Sequence, residues 1–108
     1  MRYEIVLAPE AVGDLRALKA NLRAAVRDAL EEHLRHQPMK TSQSRIKRLR
    51  GFLRPQYRLR VDDVRVFYDV TGETVEVLAI VSKEDAEEWL EREGAPGDET
   101  SSAVGSEG

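Results

Sequence analysis

The spacing of apolar positions changes several times along the chain. Over "RYEIVL" (residues 2–7) apolar and polar residues alternate, with Tyr3, Ile5 and Leu7 on one side, which predicts a first strand. Pro9 suits the first turn of a helix. From there Val12, Leu15, Leu18, Leu22, Val26, Leu30 and Leu34 recur at three- and four-residue spacing. That is the stripe of an amphipathic helix. Asn21 offers a cap near its middle, so a hairpin of two helices is expected, over about 9–19 and 21–36. Pro38 ends this region, and "QPMKTSQS" reads as a polar loop.

Beyond the loop the period drops to two. "RIKRLRG" (45–51) is a short strand or extended segment stopped by Gly51, and Pro55 marks the next loop. "QYRLRV" (56–61) and "VRVFYDV" (64–70) are strands joined by Asp62 and Asp63. "TGE" makes another tight turn before "TVEVLAIV" (74–81), the most apolar strand. Ser82 followed three residues later by Asp85 resembles an acidic capping box, so a helix over about 83–93 is expected, ended by Gly94. The remaining "APGDETSSAVGSEG" has no periodicity and is expected to be a disordered acidic tail (95–108) behind a domain of residues 1–94. The predicted order is an N-terminal strand, a helical hairpin, an antiparallel meander of three to four strands and a short C-terminal helix. This is an α+β fold.

Length and composition narrow the class. A chain of 108 residues has room for one core and not for two. No apolar run approaches the roughly 18 residues of a membrane helix. The N-terminus lacks the uninterrupted apolar core of a signal peptide. Cysteine is absent, so disulfides and thiolate chemistry are excluded. A cytoplasmic protein with no membrane partner is therefore expected.

The net charge of −3 conceals an asymmetry that matters more. Residues 1–81 hold 15 Lys/Arg against 11 Asp/Glu, which is +4, while residues 82–108 hold 2 against 9, which is −7. A basic body with an acidic end keeps polyanionic partners open, where the mean charge would argue against them.

The basic residues concentrate in "RIKRLRGFLRPQYRLRVDDVRVFYDV" (45–70). If Asp62 and Asp63 form a two-residue turn, Val61 faces Val64, Arg60 faces Arg65, Leu59 faces Val66, Arg58 faces Phe67 and Tyr57 faces Tyr68. Side chains alternate along a strand. Tyr57, Leu59, Val61, Val64, Val66 and Tyr68 then share the core face, and Arg58, Arg60, Arg65 and Phe67 share the other. Opposed arginines are unfavourable for folding alone, and a polyanion lying across them reverses that sign. Phe67 is expected to offer a base a surface to stack on. Extending the register through the Gly72–Glu73 turn puts Leu78 beside Phe67 and Ile80 beside Arg65, a partly apolar floor. The competing reading is a merely solvated sheet face, since charged outer faces and basic edge strands are common.

The other candidates have simpler readings. His33 and His36 fit cations at a helix C-terminus, and Asp62 and Asp63 fit turn formers. Trp89 either packs with Leu90 against the sheet or stacks on a base.

The pattern "LRG", then "YRLRV", "VRVFYDV" and "VEVLAIV" with a closing helix resembles the RelE/ParE superfamily of toxins from type II toxin–antitoxin systems. The likeness covers roughly residues 2–92 and is strongest over 49–81. It implies one of two activities: ribosome-associated mRNA cleavage in the RelE-like branch, or inhibition of DNA gyrase in the ParE-like branch. A catalytically degenerate member acting as a binding module is a third reading. The RelE-like branch is favoured, because the outer face is arginine-rich for a surface that only docks a protein. By this resemblance Arg58, Arg60, Arg65 and Lys83 hold the catalytic positions. Lys47, Arg48, Arg50, Arg54, Phe67 and Trp89 join them in binding RNA. Attack of a ribose 2′-hydroxyl on its phosphate builds negative charge that arginines stabilise. No metal or cofactor is expected. The implied partners are a cognate antitoxin in a hetero-oligomer, the ribosome and mRNA. Two positions depart from the family: Lys83 stands where it has an arginine and Trp89 where it has a tyrosine. An indole has no proton to exchange near neutral pH, so the sequence supplies no general base at that position.

Overall fold

The computed structural model of the chain describes residues 1–97. Its organising feature is the hairpin around Asp62–Asp63. Asp62 takes the left-handed conformation (φ 51°) that short polar side chains tolerate. The turn closes β4 (Tyr57–Val61) onto β5 (Val64–Thr71) in the predicted register, Tyr57 opposite Tyr68 through to Val61 opposite Val64. Gly72 (φ 60°) turns β5 into β6 (Thr74–Ser82), and the edge strand β2 (Ile46–Arg48) pairs with β4. The N-terminal strand β1 (Glu4–Leu7) joins the far side of β6 in parallel, so the five-stranded sheet runs β1-β6-β5-β4-β2. The sheet is mixed, with an antiparallel meander at its centre.

Two helices cover the inner face. α1 spans Pro9–Ala17 with its proline in the first turn, and α2 spans Ala20–Ala29 before continuing as a π-helical turn, Leu30–Leu34. The break falls at Leu18 and Lys19, both extended, and Asn21 lies inside α2 rather than capping it. The apolar stripe packs Leu15, Val26, Leu30 and Leu34 against Tyr57, Leu59, Val66, Tyr68, Val75 and Val77. Tyr57 and Tyr68 stack at 5.4 Å, and the buried Tyr68 hydroxyl donates to the Pro38 carbonyl at 2.6 Å. Both tyrosines are core residues, as their parity predicts. Where β1 ends, Asp14 of α1 takes over the edge: its Oδ2 accepts from the Ile80 amide at 2.9 Å. A strand amide beyond the reach of β1 is thereby satisfied by a side chain.

The outer face is covered in part. α3 (Ala86–Glu93) crosses it and lays Trp89 on Phe67, ring centroids 4.9 Å apart and planes 5° from parallel. The helix starts at Ala86 rather than at residue 83; the turn before it is held by the Asp85 amide donating to Ser82 Oγ at 3.3 Å. It ends at Gly94, where an added Cβ would sit 2.7 Å from the Phe52 ring. Side-chain size, not left-handed backbone, demands glycine there. A short strand β3 (Phe52–Arg54) then pairs with β7 (Ala95–Pro96), and the Gly97 amide donates to Gly51 O at 2.8 Å. Residues 95–97 thus belong to the fold rather than to the predicted disordered tail; residues 98–108 of that tail lie outside the described residues. No helix among the described residues is long and apolar enough to cross a membrane.

One register differs from expectation. β5 and β6 pair as predicted from Thr71–Thr74 to Tyr68–Val77, then shift, so that Phe67 faces Ala79, Val66 faces Ile80 and Arg65 faces Val81. Leu78 is the extra residue of a β-bulge. Ile80 therefore belongs to the inner core, and Val81 takes the place expected for it beside Arg65.

Candidate functional site

On the outer face, strand parity and pairing gather the cations. Arg58 stands opposite Phe67 on one side and Lys47 on the other, and Arg60 stands opposite Arg65. The Arg60 amide bonds to the Arg45 carbonyl at 2.8 Å, just ahead of the edge strand, while Arg45 itself lines a separate pocket with His33 and Ile46. The turn into α3 brings Lys83 to the same end: its amide donates to Asp63 O at 2.8 Å, and its ammonium lies 3.8 Å from Asp63 Oδ1. The result is an open groove of about 460 Å³. Arg58 and Arg65 form its sheet side, Lys83, Glu84 and Glu87 line its helix side, and Leu49 and Leu90 contribute apolar surface above the buried Phe67.

Arg58 is the most strained member electrostatically. Its Nε is buried and has no hydrogen-bond partner among the described residues. Burial, and then the positive charges of Arg65 and Arg60, hold its pKa below the ordinary guanidinium value. A buried donor without an acceptor costs about 1–3 kcal/mol. An anion in the groove would supply both the missing acceptor and the missing charge. Arg65 is anchored at the hairpin end, where its Nη1 donates to the carbonyls of Asp62 and Val64, both at 3.0 Å. These bonds fix the guanidinium before any ligand arrives.

Several residues grouped by sequence are placed elsewhere. Arg48 has inner-face parity and lies with its guanidinium 5.2 Å from the Tyr57 ring centroid, a cation–π contact. Arg50 lines a separate depression with Phe52, Leu53, Gln56 and Gly97. Arg54 is tied to two carboxylates at the opposite end of the outer face: Nε to Asp69 Oδ2 at 3.5 Å and Nη2 to Glu76 Oε1 at 3.4 Å. The two aromatic positions are corrected as well. Phe67 is 0% exposed and Trp89 5%, because each ring covers the other, so neither presents a face for a base to stack on. The Trp89 indole N–H donates to Glu10 Oε2 at 3.0 Å, which ties α3 to α1. His33 is half-buried at the end of the π-helical turn beside Glu32, and the His36 ring nitrogen approaches Met1 O at 3.2 Å. Neither imidazole lines the cationic groove.

Sequence reasoning missed Leu49, Glu84 and Glu87 as groove residues. Glu87 had a readable signal, since it lies four residues after Lys83 at the start of a predicted helix and so shares its face. The Glu10–Trp89 bond had none, because its partners are 79 positions apart.

The arrangement suits a phosphate-rich ligand: fixed guanidinium groups on a rigid sheet, one with a buried donor unsatisfied, beside a flexible ammonium. Comparison with known proteins agrees with the fold. The solved structures it resembles include the toxin–antitoxin complex RelBE2 from Mycobacterium tuberculosis, with a TM-score of 0.66 and 24% identity over 76% of this chain and 99% of that one. They also include a RelB–RelE complex from Methanococcus jannaschii (0.62; 20% identity; 79% and 98% covered) and a mutant of the E. coli toxin RelE in the free state (0.62; 23%; 81% and 90%). At these identities the likeness is one of fold. No curated protein matches by sequence. Residues 5–87 match the family described as the ParE toxin of type II toxin–antitoxin system, parDE. The match spans most of the chain, including the whole hairpin and the start of α3, and the chain belongs to this family of toxins, within the RelE/ParE superfamily.

Proposed function

We propose that this toxin arrests translation by binding mRNA at the ribosome and cleaving it in the groove between the β4–β5 hairpin and α3. Arg58, Arg60, Arg65 and Lys83 hold the scissile phosphate and stabilise the charge that grows on it, while RNA supplies its own nucleophile in the 2′-hydroxyl. The observation that carries this reading is Arg58, a guanidinium whose buried Nε has no acceptor among the described residues and whose charged neighbours on the sheet are also positive. A fold does not retain that arrangement for stability. Lys47, beside Arg58 on the edge strand, extends the phosphate track. A cognate antitoxin is the neutralising partner; the similar RelBE2 and RelB–RelE structures are toxin–antitoxin complexes.

Primer extension on mRNA translated in the presence of the protein tests this. New 5′ ends phased to the ribosomal A site are expected. Arg58→Met should reduce them about 10²–10³-fold while leaving the protein as stable or more so. Intact mRNA under translational arrest would sink the nuclease reading.

A second reading is inhibition of DNA gyrase by protein docking. The family description supports it, and so does Trp89, which is committed to the Phe67 stack and to Glu10 and has no exchangeable acid. Loss of gyrase supercoiling with mRNA left whole would decide for it.

A further inference from the structure

The groove has charge stabilisation in abundance and needs a group that accepts a proton. We infer that Glu87 is that group, the general base for the 2′-hydroxyl. The inference rests on the ribonuclease reading above and adds to it a residue with a defined chemical role.

The groove residues themselves narrow the choice. Leu49, Phe67, Ala86 and Leu90 have no proton chemistry, and the guanidinium groups of Arg58 and Arg65 offer donors and no acceptor. Lys83 is a cation engaged with Asp63 at 3.8 Å. Two carboxylates remain, Glu84 and Glu87. Glu84 lies in the turn ahead of α3, whereas Glu87 is within the helix. Within α3, Ala86, Glu87 and Leu90 share one helix face at three- and four-residue spacing from Leu90, and all three line the groove together with Lys83 of the preceding turn. The helix bearing Glu87 is fixed two residues on, where Trp89 is clamped between Phe67 and Glu10. Among the described residues, Glu87 forms no ion pair with Arg58, Arg65 or Lys83. It lines the same groove as Arg58 and Arg65, on the helix side, without pairing with them, so its oxygens are available to a ribose whose phosphate the arginines hold. A carboxylate already paired with those arginines could not serve, because the pairing would hold its lone pairs.

The step balances without any further reagent. The Glu87 carboxylate takes the 2′-hydroxyl proton, and the 2′-oxygen forms a bond to the adjacent phosphorus. The bond from phosphorus to the 5′-oxygen breaks, and that oxygen leaves with a proton from water. The products are a 2′,3′-cyclic phosphate and a 5′-hydroxyl end, with Glu87 returning its proton to solvent. Arg58 and Arg65 from the sheet, and Lys83 and Glu84 from the turn, are the charged groups that face it.

The experiment uses the full chain on ribosomes programmed with a defined mRNA, measuring single-turnover cleavage and RNA binding separately. Glu87→Ala is expected to slow cleavage about 10²–10⁴-fold with RNA affinity unchanged or slightly raised, since a negative charge leaves a cationic groove. Added formate, filling the space left by the side chain, should restore a measurable part of the rate in Glu87→Ala and none in the parent. A structural role would show no such rescue. Glu88→Ala, on the same helix outside the groove, should cleave like the parent. Cleavage by Glu87→Ala within about twofold of the parent, far short of the loss expected on removing a general base, overturns the assignment while leaving the ribonuclease reading intact. So does a loss that formate does not rescue. Failure of the parent protein to cleave removes the ribonuclease reading and the assignment with it.

Discussion

At one end of the outer sheet face Arg54 reaches Asp69 and Glu76, at 3.5 and 3.4 Å. At the other end Arg58, Arg60 and Arg65 cluster on β4 and β5 with no carboxylate among their strand partners, and the nearest acidic side chains in the groove, Glu84 and Glu87, come from the α3 side. Between the two ends lies the Phe67–Trp89 stack. All four arginines fall within the same basic stretch of sequence, and composition cannot rank them. Register does: β5 puts Arg65, Phe67 and Asp69 on one face at successive alternate positions, so each arginine on a neighbouring segment meets a different partner. A structural arginine here is one whose neighbour is Asp69. The arginines proposed to bind RNA are those whose charged neighbours on the sheet are other cations.

The largest expected effect comes from removing the divider. Trp89→Ala uncovers Phe67 and frees Glu10, and should cost about 3–5 kcal/mol, read as a lower urea midpoint at unchanged slope. Trp89→Phe keeps the stack and loses only the indole bond to Glu10, for about 0.5–1.5 kcal/mol. If Trp89→Ala costs under about 1 kcal/mol, α3 is not part of the outer layer. The two ends would then form one continuous surface, and the difference between them would vanish.

Much of this contrast is legible in the sequence. The two-residue turn at Asp62–Asp63 leaves one register for the hairpin, and parity then assigns every side chain from Tyr57 to Tyr68 to a face. The helical stripe from Leu15 to Leu34 is equally plain, because period alone carries it. What stays hidden depends on packing between distant segments. Nothing in "VEVLAIV" marks Leu78 as a bulge, and the one-residue shift it introduces moves Ile80 from the outer face to the core. Phe67 reads as exposed because its cover comes from Trp89, 22 residues later and on a different element. Arg54 reads like its neighbours because the carboxylates that neutralise it lie on two other strands. Ala95 and Pro96 read as tail because their partner strand, Phe52–Arg54, is too short to recognise as one.

An intermediate effect should come from Asp69, the carboxylate that defines the neutral end. It is buried, and its Oδ1 accepts from the Gln56 amide at 2.7 Å. Gln56 in turn accepts from the Val70 amide at 2.8 Å. Burial raises the Asp69 pKa above the ordinary carboxylate value, and neither the Gln56 amide nor Arg54 fully offsets this. Asp69→Ala strands the Gln56 amide and should cost about 1–3 kcal/mol. Asp69→Asn keeps an acceptor oxygen and should cost less. The sign with pH follows from proton linkage. With the folded pKa raised, the native state binds more protons than the unfolded state in the window between the two values. Stability from this group therefore falls as pH rises from the ordinary carboxylate pKa through the folded one. The parent should thus gain stability relative to Asp69→Asn as pH drops from neutral toward the ordinary carboxylate pKa. A difference between the two proteins that stays constant over that range would show that Asp69 is solvated in the fold.

The smallest stability effect, and the sharpest contrast in function, should come from comparing Arg54→Ala with Arg60→Ala. The Arg54 side chain is 56% exposed, so its ion pairs are screened by solvent. Losing them should cost about 0.2–1 kcal/mol, with Asp69 still held by the Gln56 amide. Arg60→Ala removes a charge that opposes Arg65, so the fold should lose nothing and gain a few tenths of a kcal/mol, an order set by cross-strand like-charge pairs. Binding to single-stranded RNA should show the reverse order. Arg60→Ala should weaken affinity and flatten the plot of log affinity against log salt by roughly 0.7 for each phosphate no longer neutralised. Arg54→Ala should leave both affinity and slope near those of the parent, because its charge is already spent on Asp69 and Glu76. Equal losses of slope in the two variants would mean that an RNA strand runs the full length of the outer face, over the Phe67–Trp89 stack, and displaces the carboxylates from Arg54 as it passes.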